Sequence, residues 1–176
     1  MFALAETLEK ERISHAVETS LNHKETFGQY FTPYPIAKFM SSLFPATDKK
    51  IKLLDPGAGI GTLTCSFMER IVNEKWDTPE IHVSAYDIDK DVYNTLYENI
   101  ASSSSAFKKS DYEIFSENFL EKTSFEYTWK INETYTHVIM TPPYKKIQTN
   151  SKERQSARAF GLETVNLKIW GESYNG

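Results

Sequence analysis

The sequence predicts an α/β fold, a parallel β-sheet of about four strands with helices on both faces. Three observations carry that reading. From Lys50 onward, short apolar runs at Ile51–Leu54, Ile81–Tyr86, Tyr112–Phe115 and Thr136–Met140 alternate with amphipathic stretches of helical length. Three of these runs end in polar or Pro/Gly-rich sequence, and in open parallel sheets ligands bind beyond the carboxyl ends of the strands. Finally, 176 residues that are 40% hydrophobic and 25% charged suit one globular domain with a core, and exclude a disordered tail or a fibrous repeat.

The elements follow in order. Ile13, Ala16, Val17 and Leu21 mark one stripe of a helix running from about Leu4 to Leu21. An aromatic loop, FGQYFTPYP, spans Phe27 to Pro35. Ile36, Phe39, Met40, Leu43 and Phe44 then recur at helical spacing, predicting a second helix stopped by Pro45. The first strand runs into Asp55-Pro56-Gly57-Ala58-Gly59-Ile60-Gly61, and Leu63, Phe67, Ile71 and Val72 predict the next helix. Asp87 closes the second strand and Asp89 reads as a helix cap. Val92, Leu96 and Ile100 mark a further helix, with Ser102–Ser105 expected to break it. The expected division is a helical segment over 1–26 and a ligand-binding α/β domain over 27–176, cut short after its fourth strand. That strand is expected to have an open edge, which invites a partner subunit or self-association.

Composition narrows the function. A net charge of −4 argues against nucleic-acid binding by bulk charge, so any polyanion contact must be local. Lys145, Lys146, Lys152, Arg154 and Arg158, opposed only by Glu153, form such a stretch. The lone Cys65 cannot form an internal disulfide. His15, His23, His82 and His137 are scattered without metal-ligand spacing, so no metal is expected. No run approaches the roughly 20 apolar residues of a membrane span, and no secretory signal opens the chain, so a cytoplasmic location is the default expectation.

The glycine loop offers bare main chain to a ligand. A phosphate-cradling P-loop would close on Gly-Lys-Ser/Thr, and this loop has no lysine; a dinucleotide fingerprint needs G-x-G-x-x-G, and here the spacing is G-x-G-x-G. Asp55, read as lying at the mouth of the loop, would repel a pyrophosphate and favour an ammonium or sulfonium group. S-adenosylmethionine has that charge, together with an adenosine part and an amino-acid part. Asp87 at the end of the second strand is the residue expected to accept hydrogen bonds from ribose hydroxyls. An ordinary glycine-rich turn is the alternative.

FGQYFTP at 27–33, LLDPGAGIGTL at 53–63, AYDID at 85–89 and TPPY at 141–144 resemble motifs X, I, II and IV of the amino-methylating DNA methyltransferases. Their order resembles the gamma-class N6-adenine enzymes of type I and type IIG restriction–modification systems. The resemblance implies a Rossmann-like S-adenosylmethionine-dependent methyltransferase fold and transfer of a methyl group to a flipped-out adenine in double-stranded DNA. It implies that Phe31, Thr32 and Pro33 contact the methionine end of the cofactor. Asp55, Pro56, Gly57 and Gly59 would line its amino-acid moiety, Asp87 and Ile88 its ribose, and Asn118 and Phe119 its adenine. Thr141, Pro142, Pro143 and Tyr144 would be the catalytic residues, with Lys145, Lys146, Lys152 and Arg154 on DNA phosphates.

In the family an Asn side-chain oxygen and the first Pro carbonyl accept the hydrogens of the target amine, which localises its lone pair. This chain has Thr141 at the Asn position, so impaired catalysis is expected. A recognition domain, separate or absent from these residues, and a restriction or specificity subunit are the implied partners. Methylation of RNA or of a protein glutamine, and a catalytically silent cofactor-binding or scaffold subunit, remain the alternatives.

Overall fold

A computed structural model describes residues 2–18, 31–119, 121–122 and 134–141, with side chains placed from residue 7 to 15 in the first helix. The described secondary-structure elements lie in one compact unit, comprising Met1–Phe119 and Glu133–Lys145. They are α1 (Phe2–Glu18), α2 (Tyr34–Ser42), β1 (Ile51–Asp55), α3 (Thr62–Asn73), β2 (Ile81–Tyr86), a single 3₁₀ turn (Lys90–Val92), α4 (Tyr93–Ser104), β3 (Ser110–Phe115) and β4 (His137–Val138).

The strands form one parallel sheet in the order β3-β2-β1-β4. The chain steps outward from β1 to β2 to β3, then returns to lay β4 on the other side of β1. The direction of winding therefore reverses between β1 and β4, where open α/β sheets leave a crevice at the carboxyl ends of the strands. Ile51, Leu53, Ile81, Val83 and Ala85 form one core with Phe67, Met68 and Ile71 of α3 and Leu96 and Ile100 of α4. On the opposite parity Leu54, Ser84 and Tyr86 are buried too, so β1 and β2 are covered on both faces, and their near-continuous apolar runs follow from that. Cys65 sits in this core, where burial pushes its thiol up to about 12, and it acts as a small packing residue.

Two helices turn differently from their hydrophobic pattern. In α1 the inward residue is Leu8, flanked by Glu11, which accepts from Asn99 Nδ2 (2.7 Å), and His15, whose Nε2 meets Thr95 Oγ1 (3.0 Å); Ile13 is half exposed. The expected extension to Leu21 lies outside the described residues. In α2 the buried side chains are Ala37 and Ser41, while Ile36, Phe39 and the C-cap Leu43 are exposed. The small face lets α2 approach α3 closely, and Arg70 of α3 donates to the carbonyls of Ser41 and Phe44 (2.7 Å for the latter). α2 ends at Ser42, with Leu43 as its C-cap, ahead of Pro45. Nor do the serines break α4, which runs through Ser102 to Ser104.

Candidate active site

The loop after β1 is set by its glycines. Gly61 caps α3 with φ 87°, and a Cβ there would lie 3.0 Å from Leu96 Cδ1. Gly57 is different, because nothing lies within 4 Å of where its Cβ would be, so its main chain faces open space. No lysine or arginine occurs from residue 53 to 69 to pair with a phosphate.

The two carboxylates bracket this loop from below and from the side. Strand-end position suggests Asp55 at the loop's mouth, but its side chain is turned under the loop and fully buried. There Oδ2 accepts from the Thr64 hydroxyl at 2.8 Å and Oδ1 from the Gly57 N–H at 3.4 Å. It serves the amino end of α3, which has no capping side chain of its own. Burial pushes its carboxyl up to about 7, against the hydrogen bonds from Thr64 and Gly57 that favour the charged form.

Asp87 lies at the rim, partly exposed. Its Oδ2 accepts from the Gly59 N–H at 2.7 Å and its Oδ1 from the Asp89 N–H at 2.8 Å. The Ile88 N–H also reaches this carboxylate, which keeps acceptor capacity for a further donor. Burial raises its carboxyl above the usual range. Asp89 caps the 3₁₀ turn by accepting from Asp91 N–H (3.0 Å), as its sequence position predicts. Ile88 is exposed beside Asp87. On the β3 side Tyr86 stacks on Phe115, with ring centroids 4.5 Å apart, and meets Phe119 edge-on at 5.2 Å. Asn118 immediately precedes that ring, half-buried.

The FTP segment joins the loop to the end of β4. Phe31 lies over Gly59, its ring 3.1 Å from where a Cβ would be. Thr32 Oγ1 is 3.0 Å from Thr141 Oγ1, linking residues 109 positions apart in sequence. Thr141 follows β4, whose pairing with β1 ends at the bond from Ile139 N–H to the Leu54 carbonyl. Phe31, Gly57, Gly59, Asp55, Asp87, Thr32 and Thr141 thus gather at the carboxyl ends of β1, β2 and β4. Pro142, Pro143, Tyr144, Lys145, Lys146, Lys152 and Arg154 lie outside the described residues.

Several supporting residues carry no sequence signal of their own. Thr64 holds Asp55. Asn99, buried on α4, donates to the Ile60 carbonyl of the glycine loop at 3.0 Å as well as to Glu11. Tyr34 donates to Glu69, so its ring belongs to the packing between α2 and α3. His137 packs against Phe44 and Phe67, with its pKa lowered by burial. A polar residue embedded in an apolar helical stripe, such as Asn99 between Leu96 and Ile100, is the one pattern that could have been noticed.

Comparison with known proteins identifies the family and the fold. The family model for N-6 DNA methylases matches residues 16–167. The type II methyltransferase M.BsuBI of Bacillus subtilis is 37% identical over 95% of this chain, and M.PstI of Providencia stuartii is 25% identical over 90%. The chain spans 34% and 31% of the lengths of those two relatives, about a third of each. A solved chain from Listeria monocytogenes, assigned to the class I S-adenosylmethionine-dependent methyltransferases, shares the fold with a TM-score of 0.56 at 15% identity, covering 93% of this chain and 45% of that one. Matched by the family model over most of its length, the chain belongs to the N-6 DNA methylases of restriction–modification type, whose cofactor is S-adenosylmethionine.

Proposed function

We propose that these residues form the cofactor-binding and catalytic part of an adenine-N6 DNA methyltransferase. The observation that supports it most is the meeting of Thr32 and Thr141 beside the glycine loop, at the crevice between β1 and β4. The pocket's chemistry suits a ligand without phosphates: bare main chain at Gly57, a rim carboxylate at Asp87 with lone pairs to spare, and no cation in the loop. Asp87 and Ile88 would hold the ribose, Asn118 and Phe119 the adenine, and Phe31, Thr32, Pro33, Pro56, Gly57 and Gly59 the methionine end. Buried Asp55 would act through Gly57 and Thr64, shaping the loop from beneath. S-adenosylmethionine, when bound, supplies a sulfonium methyl that passes to the amine nitrogen as the sulfide leaves.

What this chain adds is orientation of the acceptor. The exocyclic amine of adenine is conjugated with its ring, so its lone pair attacks poorly until its hydrogens are held by acceptors. Thr141 Oγ1 and the Pro142 carbonyl would supply them, with Tyr144 stacked on the flipped base, a contact of about 1–3 kcal/mol. Positioning is then the main catalytic device. Lys145, Lys146, Lys152 and Arg154 would sit on phosphates of double-stranded DNA. A hydroxyl reaches less far than an amide, so the rate should be low. A misplaced hydrogen bond to a reacting group costs about 10²–10³ in rate in comparable sites.

The test is calorimetric titration with S-adenosylmethionine, followed by transfer of labelled methyl to genomic DNA free of adenine methylation and digestion to nucleosides. Binding with label in N6-methyladenine, raised at least tenfold by Thr141→Asn, is the expected result. Absence of cofactor binding, or label in cytosine, would overturn it. Thr141 also favours a second reading, a silent cofactor-binding subunit, which predicts binding without turnover both in the parent and in Thr141→Asn.

A further inference from the structure

We propose that Thr32 is a positioning residue that sets the polarity of the Thr141 hydroxyl. This rests on the reading of Thr141 as the acceptor for the target amine. A hydroxyl has one proton and two lone pairs, and it accepts from an amine only if its own proton points elsewhere. A proton aimed at the amine nitrogen would hydrogen-bond the lone pair that must attack. Thr32 Oγ1 lies 3.0 Å from Thr141 Oγ1, within range to take that proton, and both residues are partly buried, where a defined partner matters more than in water. With Thr141 donating to Thr32, its lone pairs are left for the amine. The asparagine of the family's motif needs no such arrangement, because an amide oxygen is an acceptor in every orientation. A threonine at 141 therefore makes the chemistry depend on a second hydroxyl contributed by the FTP segment.

The pair also fixes geometry. Thr141 is β-branched and stiff at χ1, and Thr32 is held in the short stretch between Phe31 over Gly59 and Pro33 at the start of α2. One hydrogen bond thus ties the segment over the glycine loop to the residue that follows β4.

The experiment compares Thr32→Val, which keeps shape and removes the hydroxyl, with Thr32→Ser, which keeps the hydroxyl, each in the parent and in Thr141→Asn. Thr32→Val should lower kcat at least tenfold in the parent, a larger factor than its effect on the Kd for S-adenosylmethionine, whose methionine end Thr32 also borders. The loss should be the same from about pH 6.5 to 9, since neither hydroxyl titrates there. Thr32→Ser should stay within about threefold of the parent, and Thr32→Val should cost less than threefold in the Thr141→Asn background. Equal losses in both backgrounds, or a loss of rate matched by weakened cofactor binding, would make Thr32 a plain cofactor contact and overturn the proposal. Should Thr141→Val keep the parental rate, the acceptor reading of Thr141 fails instead, a result separable from the cofactor titration.

A cycle that needs no turnover runs beside it. The Tm losses of Thr32→Val and Thr141→Val should sum to more than that of the double variant, because both remove one hydrogen bond. Full additivity would show that the bond is not made, and would overturn the proposal where rates are too low to read.

Discussion

A methyl group added at Gly57 meets open space, whereas one added at Gly61 meets Leu96 on a backbone with φ 87°. Gly57→Ala should therefore leave Tm within about 2 °C of the parent while weakening S-adenosylmethionine binding at least tenfold in a calorimetric titration. Gly61→Ala should destabilise by about 1–3 kcal/mol in denaturant melts, whatever the ligand. Asp55 makes a pH prediction. Its carboxyl titrates near 3.8 when unfolded and near 7 when folded, so the folded state keeps its proton longer. Its contribution to stability is full below about pH 4 and is lost as pH rises toward 7. Tm measured at about pH 5 and pH 8 should fall across that interval, and Asp55→Asn should shrink the fall. Asp87, raised in the same direction, keeps part of it. Both acids stand at the strand ends where the sequence puts them, but whether a strand-end side chain turns under its loop or over it depends on the partner it finds. Thr64, nine residues on, is that partner for Asp55.

β1 and β2 were readable almost to the residue, because runs buried on both faces leave a continuous signal: β2 spans Ile81–Tyr86 as the pattern predicts and β1 extends it by one residue. The half-exposed β3 instead starts two residues early, and β4 keeps only His137–Val138 of the expected Thr136–Met140. The helices were readable in place, and α3 and α4 in orientation as well, since Leu63, Phe67, Ile71, Leu96 and Ile100 are buried, but α1 and α2 were not. Periodicity locates apolar side chains, yet in α2 the face that packs is the small one, Ala37 and Ser41, since it lets Arg70 reach the α2 carbonyls. Nothing in residues 34–44 reveals that a neighbour with such an arginine exists. Asn99 gives a prediction at this scale. It bridges α4 to the Ile60 carbonyl and to Glu11 of α1, so Asn99→Leu should cost about 1–3 kcal/mol by denaturant unfolding, through the acceptors it strands. The glycine loop should lose cofactor affinity with it.

Across the whole molecule, an acidic chain can attract DNA only by concentrating its positive charge. If Lys145 and Lys146 neutralise phosphates, replacing both with Ala should weaken binding to all DNA sequences alike. It should also reduce the slope of log Kd against log salt by about 2, near 0.9 for each phosphate no longer neutralised, in a fluorescence titration across salt concentrations. The exposed Ile36, Phe39 and Leu43 form a ridge on α2, and among the described residues no side chain buries them. The crevice itself was foreseeable from sequence, since its position follows from strand order and the punctuation at strand ends. The contact between Thr32 and Thr141 was not, because only the reversal of winding that lays β4 beside β1 brings those distant positions together.

The shortness of β4 carries a consequence of its own. Among the described residues, two ladder residues and the flanking bonds at Thr136 and Ile139 fasten it to β1. Thr141 therefore hangs from the end of the sheet easiest to peel, and the hydroxyl clasp to Thr32 acts as a latch beyond the final rung. Whatever zips that last stretch shut, a docked base included, would bring the Thr141 hydroxyl into register in the same stroke.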